Sequence, residues 1–280
     1  MCSPAINAVA SGIVSIDLDL ENELFSSFLD EHDVSENIIF SSVFAYTLSR
    51  FTGSEKALFN IVENGRDRFR NYNSIGMFVN TLPLLVDCKN QSTDSFMKYM
   101  SDRVYGVMRY NYYPYRLLAN KYNINSSILF QFIPEWIKDT SNFDDTVNEN
   151  DFLNKMDDLI ADLMVEIVQA GNDYILRVMY SDKYSNDFIN HFVESYKLIL
   201  HGMLNAEELS DFSYVSCDDL NLLDKINDTR HDLLYDDVLD AFNNNLSRYP
   251  DNKLVVYNGI SYSYGEGASI ADKIARFYLI

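Results

Sequence analysis

The stretch Ile75-Gly76-Met77-Phe78-Val79-Asn80-Thr81-Leu82-Pro83-Leu84-Leu85-Val86-Asp87 carries no charge until its last residue. It is apolar, yet it holds Gly76 and Pro83. Proline lacks the N–H that a sheet ladder uses, so an interior strand rarely contains one. The stretch therefore reads as a loop entering an edge strand, or as two short strands joined by a bend. A sheet edge of this kind needs partners, and the flanking sequence supplies them. Lys56 to Val62 reads as a strand ending at Asn64-Gly65, and a polar loop with Arg66, Arg68 and Arg70 joins the two.

Upstream, the run from Val14 to Leu20 alternates apolar and polar residues, as a strand with one wet face does. Glu21 to His32 places Leu24, Phe25, Phe28 and Leu29 at helical spacing. Ser35 is placed to cap a second helix that holds Ile38, Ile39, Val43, Phe44, Tyr46 and Leu48 and stops at Gly53. That helix is apolar enough to be buried on most sides. Downstream, Ser95 to Arg109 is helical, and Pro114 is placed at the first position of the next helix. Ser127 to Phe132 is a short strand, and Lys138 to Asp151 a polar loop. Asp162 to Val168 and Tyr174 to Tyr180 form a hairpin around Gly171-Asn172-Asp173. Asp187 to Leu204 is a long amphipathic helix.

Between Glu207 and Asp240 there are eleven acidic residues against two basic ones, Lys225 and Arg230. This predicts an extended acidic linker pinned by Leu220, Leu222 and Leu223. Beyond it come a short helix (Val238 to Leu246), a hairpin turning at Asn258-Gly259, and a last helix with Ile270, Ile274 and Phe277 on one face. That helix ends on Phe277-Tyr278-Leu279-Ile280, which predicts a second domain that has been cut.

The chain has 280 residues, 47% of them apolar and 14% aromatic. That is ample for a packed core and excludes an intrinsically disordered chain. The net charge of −20 argues against a nucleic-acid-binding surface and against attraction to anionic membranes. Cys2, Cys88 and Cys217 form no CxxC pair, so a zinc site and a redox pair lack support. A reducing, cytoplasmic compartment is the expectation. The start Met1-Cys2-Ser3-Pro4-Ala5 does not read as a signal peptide, and no apolar run approaches membrane length. His32, His191, His201 and His231 are scattered, and no GxSxG, HExxH, Walker-type or GxGxxG motif occurs. The residues alone thus supply a core, two aromatic-rich loops and no complete catalytic constellation.

Six segments in order carry a resemblance. Ile75 to Pro83 resembles the "IGxFVNT" motif of condensation domains from nonribosomal peptide synthetases. Leu48 to Gly53 resembles their "LLsRyTG" helix end, and Gly65-Arg66 their "nGR" strand end. Tyr113-Pro114-Tyr115 resembles "YPF", Leu129-Phe130-Gln131 resembles "PLFQ", and Asp162-Leu163 with Tyr180 resembles "fDL…Y". Ile226 to Thr229 resembles the "wNdT" of the linker between condensation and adenylation domains. Ser263-Tyr264-Gly265-Glu266 resembles the "TYxEL" opening of an adenylation domain, with Gly267 in place of leucine.

The resemblance implies an α/β fold: a chloramphenicol-acetyltransferase-like lobe with a mixed sheet and packed helices. This lobe would be the C-terminal half of a condensation domain (1–205), followed by an acidic linker (206–235) and a small truncated adenylation start (236–280). It implies amide formation between carrier-bound aminoacyl thioesters. The partners implied are carrier domains with their phosphopantetheine, the missing N-terminal lobe, and the rest of the adenylation domain. No cofactor is expected on this chain, and ATP only on a complete adenylation domain. The family's "HHxxxDG" is absent from the sequence. Leu85 stands where arginine is usual, and the "HQDYPFE" motif reads Tyr110-Asn111-Tyr112-Tyr113-Pro114-Tyr115-Arg116. These departures imply a chain inactive alone.

Asn80, with Gly76 and Thr81 beside it, is the candidate channel-lining position, because a carboxamide both donates and accepts. The alternative is that Asn80 caps a loop while Thr81 starts a strand. Arg66 is a candidate to hold a loop by pairing with an acid. Tyr113, Pro114, Tyr115 and Asp162 are candidates for structural motif positions. Two other functions stay open: a non-catalytic carrier-binding or docking module (or a remnant of a broken synthetase gene), and an unrelated acyl-thioester acyltransferase of the same fold.

Overall fold

The computed structural model describes residues 10–63, 65, 75, 76, 78–124, 126–135, 161–229, 232 and 234–278. The chain divides into two compact units, Met1–Leu220 and Asn221–Ile280.

The larger unit is organised by six strands: β1 (Ala10–Asp17), β2 (Lys56–Glu63), β3 (Asn80–Asp87), β4 (Ile128–Ile133), β5 (Leu163–Ala170) and β6 (Asp173–Ser181). Their order across the sheet is β1-β6-β5-β4-β2-β3. Strand β4 runs parallel to β2 and β5, and the other pairs are antiparallel. Helices α1 (Asn22–His32), α2 (Glu36–Thr52), α3 (Thr93–Met108) and α5 (Asn186–Asn205) join one face of this sheet in a single core; α4 (Tyr115–Tyr122) contacts β3. The mixed sheet with packed helices is the α/β lobe that the resemblance implies.

Helix α2 is the centre of the core and is buried continuously from Ile38 to Ser49. Phe44 stacks on Phe130 and meets Phe59 and Phe192 edge-on. The helix's buried hydroxyls are satisfied locally: Ser41 and Ser42 donate to the Ile38 carbonyl, and Thr47 donates to that of Val43. A polar side chain that bonds back to its own helix avoids the cost of an orphaned buried group. Gly53 ends the helix at φ 62°, as read. Ser35 occupies the N-cap position, but its side chain makes no capping bond.

Strand β3 is an edge, as Pro83 requires. Its outward backbone groups are blunted. Thr81 N–H is taken by the Asn80 side chain at 3.0 Å, Pro83 has no N–H, and Asp87 N–H donates to Tyr99 Oη at 2.9 Å. The Leu85 carbonyl accepts two bonds from the Arg103 guanidinium, at 3.2 and 2.9 Å. An edge so occupied is a poorer template for a foreign strand.

The segment after α5 departs from the expected extended linker. It folds back on the larger unit, where Glu208 bridges Ser92 and Leu209 N–H donates to the Gln91 carbonyl. Tyr46 Oη donates to the Leu209 carbonyl at 3.0 Å, and Leu209 is buried. Phe212 packs against Tyr46 and over Gly202, where a Cβ would lie 2.4 Å from the Phe212 ring. Leu209, Phe212 and Tyr214 therefore do the pinning, while Leu220, Leu222 and Leu223 are exposed. Those three lie on a helix, α6 (Cys217–Asn227). Its acids are compatible with that helix because Asp218 and Asp219 sit in the first turn, where negative charge is favoured, and Ser216 Oγ accepts from Asp219 N–H. We expect Gly202→Leu to lower stability by about 1–3 kcal/mol through overpacking, more than the roughly 1 kcal/mol that replacing a helical glycine returns. Urea unfolding of the full chain checks this, and proteolysis should cut first within 206–216.

The smaller unit contains α7 (Val238–Arg248), β7 (Lys253–Tyr257), β8 (Ile260–Ser263) and α8 (Tyr264–Tyr278). Asn258 and Gly259 adopt φ 50° and 81°, the two-residue turn their sequence favours. Ser263 and Glu266 form a reciprocal capping box: Glu266 N–H donates to Ser263 Oγ, and Ser263 N–H to Glu266 Oε2. Gly267 leaves room for Leu254, whose Cδ2 a Cβ would meet at 2.3 Å.

Candidate functional site

The start of β3 is where the sequence motifs converge. Asn80 Nδ2 donates to the carbonyl of Asn111 at 2.7 Å and to that of Tyr113 at 2.9 Å. Its Oδ1 accepts from Thr81 N–H. One carboxamide thus ties the turn after α3 to the edge strand. Pro114 sits at the N-cap of α4, one residue before the position its sequence suggests, and Tyr115 is the first helical residue.

Gly65 closes on the same loop. It has φ 65°, and a Cβ there would lie 1.9 Å from the Phe78 carbonyl oxygen. Only glycine fits so close to another backbone. Gly76 is exposed. Arg66, and Met77 within the motif, lie outside the described residues.

A second carboxamide, one the sequence reading missed, holds the neighbouring strand. Asn60 lies opposite Pro83 and is buried. Its Nδ2 donates to the Ser126 carbonyl at 3.0 Å and to Tyr115 Oη at 3.3 Å. The two asparagines therefore fix both ends of the 111–115 segment. The visible signal was a polar residue inside the apolar run Ala57-Leu58-Phe59-Asn60-Ile61-Val62.

Asp162 is buried at the start of β5, and Lys183 Nζ lies 2.6 Å from its Oδ2. Burial pushes this carboxyl up, but the Lys183 ammonium, with the Ser127 and Ser181 hydroxyls nearby, outweighs it and holds the group below the usual carboxylate range. On the sheet face away from the core, Glu166 faces Arg177 across β5 and β6, with 3.7 Å between charged atoms. Glu166 is only 6% exposed, and burial raises its carboxyl above the ordinary range while Arg177 opposes the shift. This pair was also missed, although counting outward from the Gly171-Asn172 turn places the two residues opposite each other.

The described residues offer no acid–base or nucleophilic centre here. His32 lies beside Asp94, His191 beside Asp187 and Asp219, and His201 beside the Leu18 carbonyl. None reaches Asn80's turn, and His231 lies outside the described residues. Cys88 is buried, and desolvation pushes its thiol up to about 12, which leaves it unreactive. Among the described residues no cluster of His, Cys, Asp or Glu could hold a metal ion. Nor is any described helix long and apolar enough to cross a membrane. What this site can do is hold a loop and a short helix rigidly against a sheet edge.

Comparison with known proteins assigns this arrangement. The family model described as the condensation domain matches residues 2–220. Surfactin synthase subunit 1 of Bacillus subtilis (strain 168) is 22% identical over 290 residues, covering 98% of this chain and 8% of the relative. A linear gramicidin synthase polypeptide of Brevibacillus parabrevis is 22% identical over 274 residues, covering 89% of this chain and 3% of the relative. The chain thus spans less than a tenth of the curated relatives it matches. Among solved structures, the first condensation domain of the CDA synthetase superposes with TM-score 0.58 at 13% identity, over 74% of this chain and 48% of that one. A four-domain holo nonribosomal peptide synthetase bound to AMP and glycine superposes with TM-score 0.69 at 12% identity, over 97% of this chain and 23% of that one. The chain belongs to the condensation-domain family of the nonribosomal peptide synthetases.

Proposed function

We propose that residues 1–205 are the C-terminal lobe of a condensation domain, that 206–235 lead out of it, and that 236–280 begin an adenylation domain. In that role the lobe forms one wall of a channel between two carrier domains. An amine held as one carrier-bound aminoacyl thioester attacks the carbonyl carbon of the other thioester. The C–N bond forms, the C–S bond breaks, and the thiolate leaves and takes up the proton the amine loses. The assembly is cytoplasmic on this reading. This lobe contributes positioning and exclusion of water, and the histidine motif belongs to a partner lobe. Gly76, Asn80 and Thr81 border the channel. With both N–H groups of Asn80 committed to backbone carbonyls, that residue shapes the wall rather than polarising a reactant.

The observation that supports this reading is a difference in coverage. The isolated condensation domain is matched over 74% of this chain and about half of its own length, whereas the four-domain synthetase is matched over 97% of this chain. Half a domain plus the start of the next would produce that pattern. The test is an amide-forming assay with two aminoacyl-loaded carrier domains. The chain alone should give no product, and addition of an "HHxxxDG"-bearing N-terminal lobe should give turnover. Turnover by the chain alone would overturn the reading. No product with the lobe supplied would favour the non-catalytic docking module.

A further inference from the structure

Where the chain leaves the larger unit, two helices meet through one imidazole. His191, in the second turn of α5, faces acceptors with both ring nitrogens. Nδ1 lies 2.7 Å from the Asp187 carbonyl and 3.9 Å from the Asp187 carboxylate, and Nε2 lies 3.2 Å from Asp219 Oδ1. Asp219 sits in the first turn of α6, and its other oxygen accepts from Ser216 Oγ at 2.9 Å. Ser216 Oγ in turn accepts from Asp219 N–H. All of these groups belong to the larger unit, and α6 continues past its boundary at Leu220. The His191 and Asp219 side chains are 43% and 32% exposed, so their contact can open into water without uncovering the core.

Only an imidazolium satisfies this arrangement, because a neutral ring donates from one nitrogen and presents a lone pair from the other. The Nδ1–H tautomer turns a lone pair toward the Asp219 carboxylate. The Nε2–H tautomer turns one toward the Asp187 carbonyl. Each loses a bond and gains a repulsion. The charged groups that face the ring are both acidic, Asp187 from its own helix and Asp219 from α6. We propose that His191 is a proton-operated latch that holds the start of α6 against α5, closed while the ring is charged and loosened when it is neutral. The bond to the Asp187 carbonyl raises the ring's affinity for the proton, as do the two carboxylates, against a smaller loss from desolvation. The sign follows by linkage. The latch contributes fully below the ordinary histidine value of 6.5, and its contribution is lost as pH rises through the raised value of the closed form. This device stands apart from the function proposed above.

Amide hydrogen exchange of the full chain, read as protection after correction for the intrinsic pH dependence of exchange, tests this. Amides of 219–223 should be about twofold to fivefold better protected at about pH 6 than at about pH 8, the range expected of a partly exposed ion pair across the histidine titration. His191→Gln can still donate to Asp219 but cannot titrate, so its protection should be the same at both pH values. His201→Gln, on the same helix, should keep the step, and the amides of β5 and β6 should show none. By reciprocity, Asp219→Asn should lower the His191 titration midpoint, followed by NMR, and abolish the step. Equal protection of the wild-type chain at both pH values overturns the latch. A step that survives His191→Gln, or disappears in His201→Gln, belongs to another group and also overturns it. A His191 midpoint at or below 6.5 overturns the doubly donating ring. A midpoint that Asp219→Asn does not lower overturns the contact with α6.

Discussion

Asn80→Asp should destabilise the larger unit by about 2–3 kcal/mol, and Asn80→Ala by about 1–2 kcal/mol. The aspartate is nearly the same size, so the difference isolates the role of the two donors. A carboxylate cannot donate, and it would place a negative oxygen where Nδ2 now lies 2.7 and 2.9 Å from two carbonyl oxygens. Truncation to alanine only leaves those carbonyls to water. The aspartate penalty should depend on pH. Its repulsive surroundings raise the folded-state pKa above the unfolded value, so the native state binds the proton more readily, and stability falls as pH rises through the window between the two values. The deficit should therefore shrink near about pH 4. Urea unfolding at several pH values measures it, and amide exchange should show the loss concentrated in 109–115. Equal effects of alanine and aspartate would remove the clamp from the account.

The second large effect is expected at Arg177. Glu166 is buried, and Arg177 is the cation opposing its upward shift. Arg177→Met leaves a buried carboxylate without that partner, which should cost about 2–4 kcal/mol near neutral pH. Here too the sign is fixed by linkage. A carboxyl raised above its unfolded value costs stability as pH climbs from the ordinary glutamate range to the native value, and losing Arg177 extends that window upward. The variant should thus recover part of its stability near about pH 5. Glu166→Gln in the same background should restore most of it at neutral pH, because the amide carries no charge to desolvate. A flat pH profile for Arg177→Met would show that the Glu166 carboxyl titrates alike in the native and unfolded chains, and would remove the buried-charge account.

Features set by neighbours in sequence were legible. Pro83 forced β3 to an edge, Gly171-Asn172 fixed the β5–β6 hairpin, Asn258-Gly259 fixed the second hairpin, and Gly53 ended α2. Contacts between distant segments were not. Nothing local distinguishes Leu209 and Phe212, which dock, from Leu222 and Leu223, which do not; the difference lies in the groove that Tyr46 and the small Gly202 offer. The acid-rich composition around Asp218 argued for extended chain because the cap at Ser216 and the favourable first-turn charges act only once the helix exists. At the candidate site, Asn80 and Tyr113 were picked out by motif, but that one bonds the other depends on where α3 ends. Asn60 and Lys183 were missed because their partners, Tyr115 and Asp162, come from other elements.

The sheet order has a consequence for synthesis. Strand β1 is made first, yet its ladder partner is β6, pairing Ala10 to Asp17 with Ser181 to Ile175. At typical ribosomal rates, roughly ten seconds or more separate the emergence of the two. Through that interval the N-terminal strand must wait undocked. Ile13, Val14 and Ile16 therefore lack their native ladder partners until the β5–β6 hairpin leaves the exit tunnel.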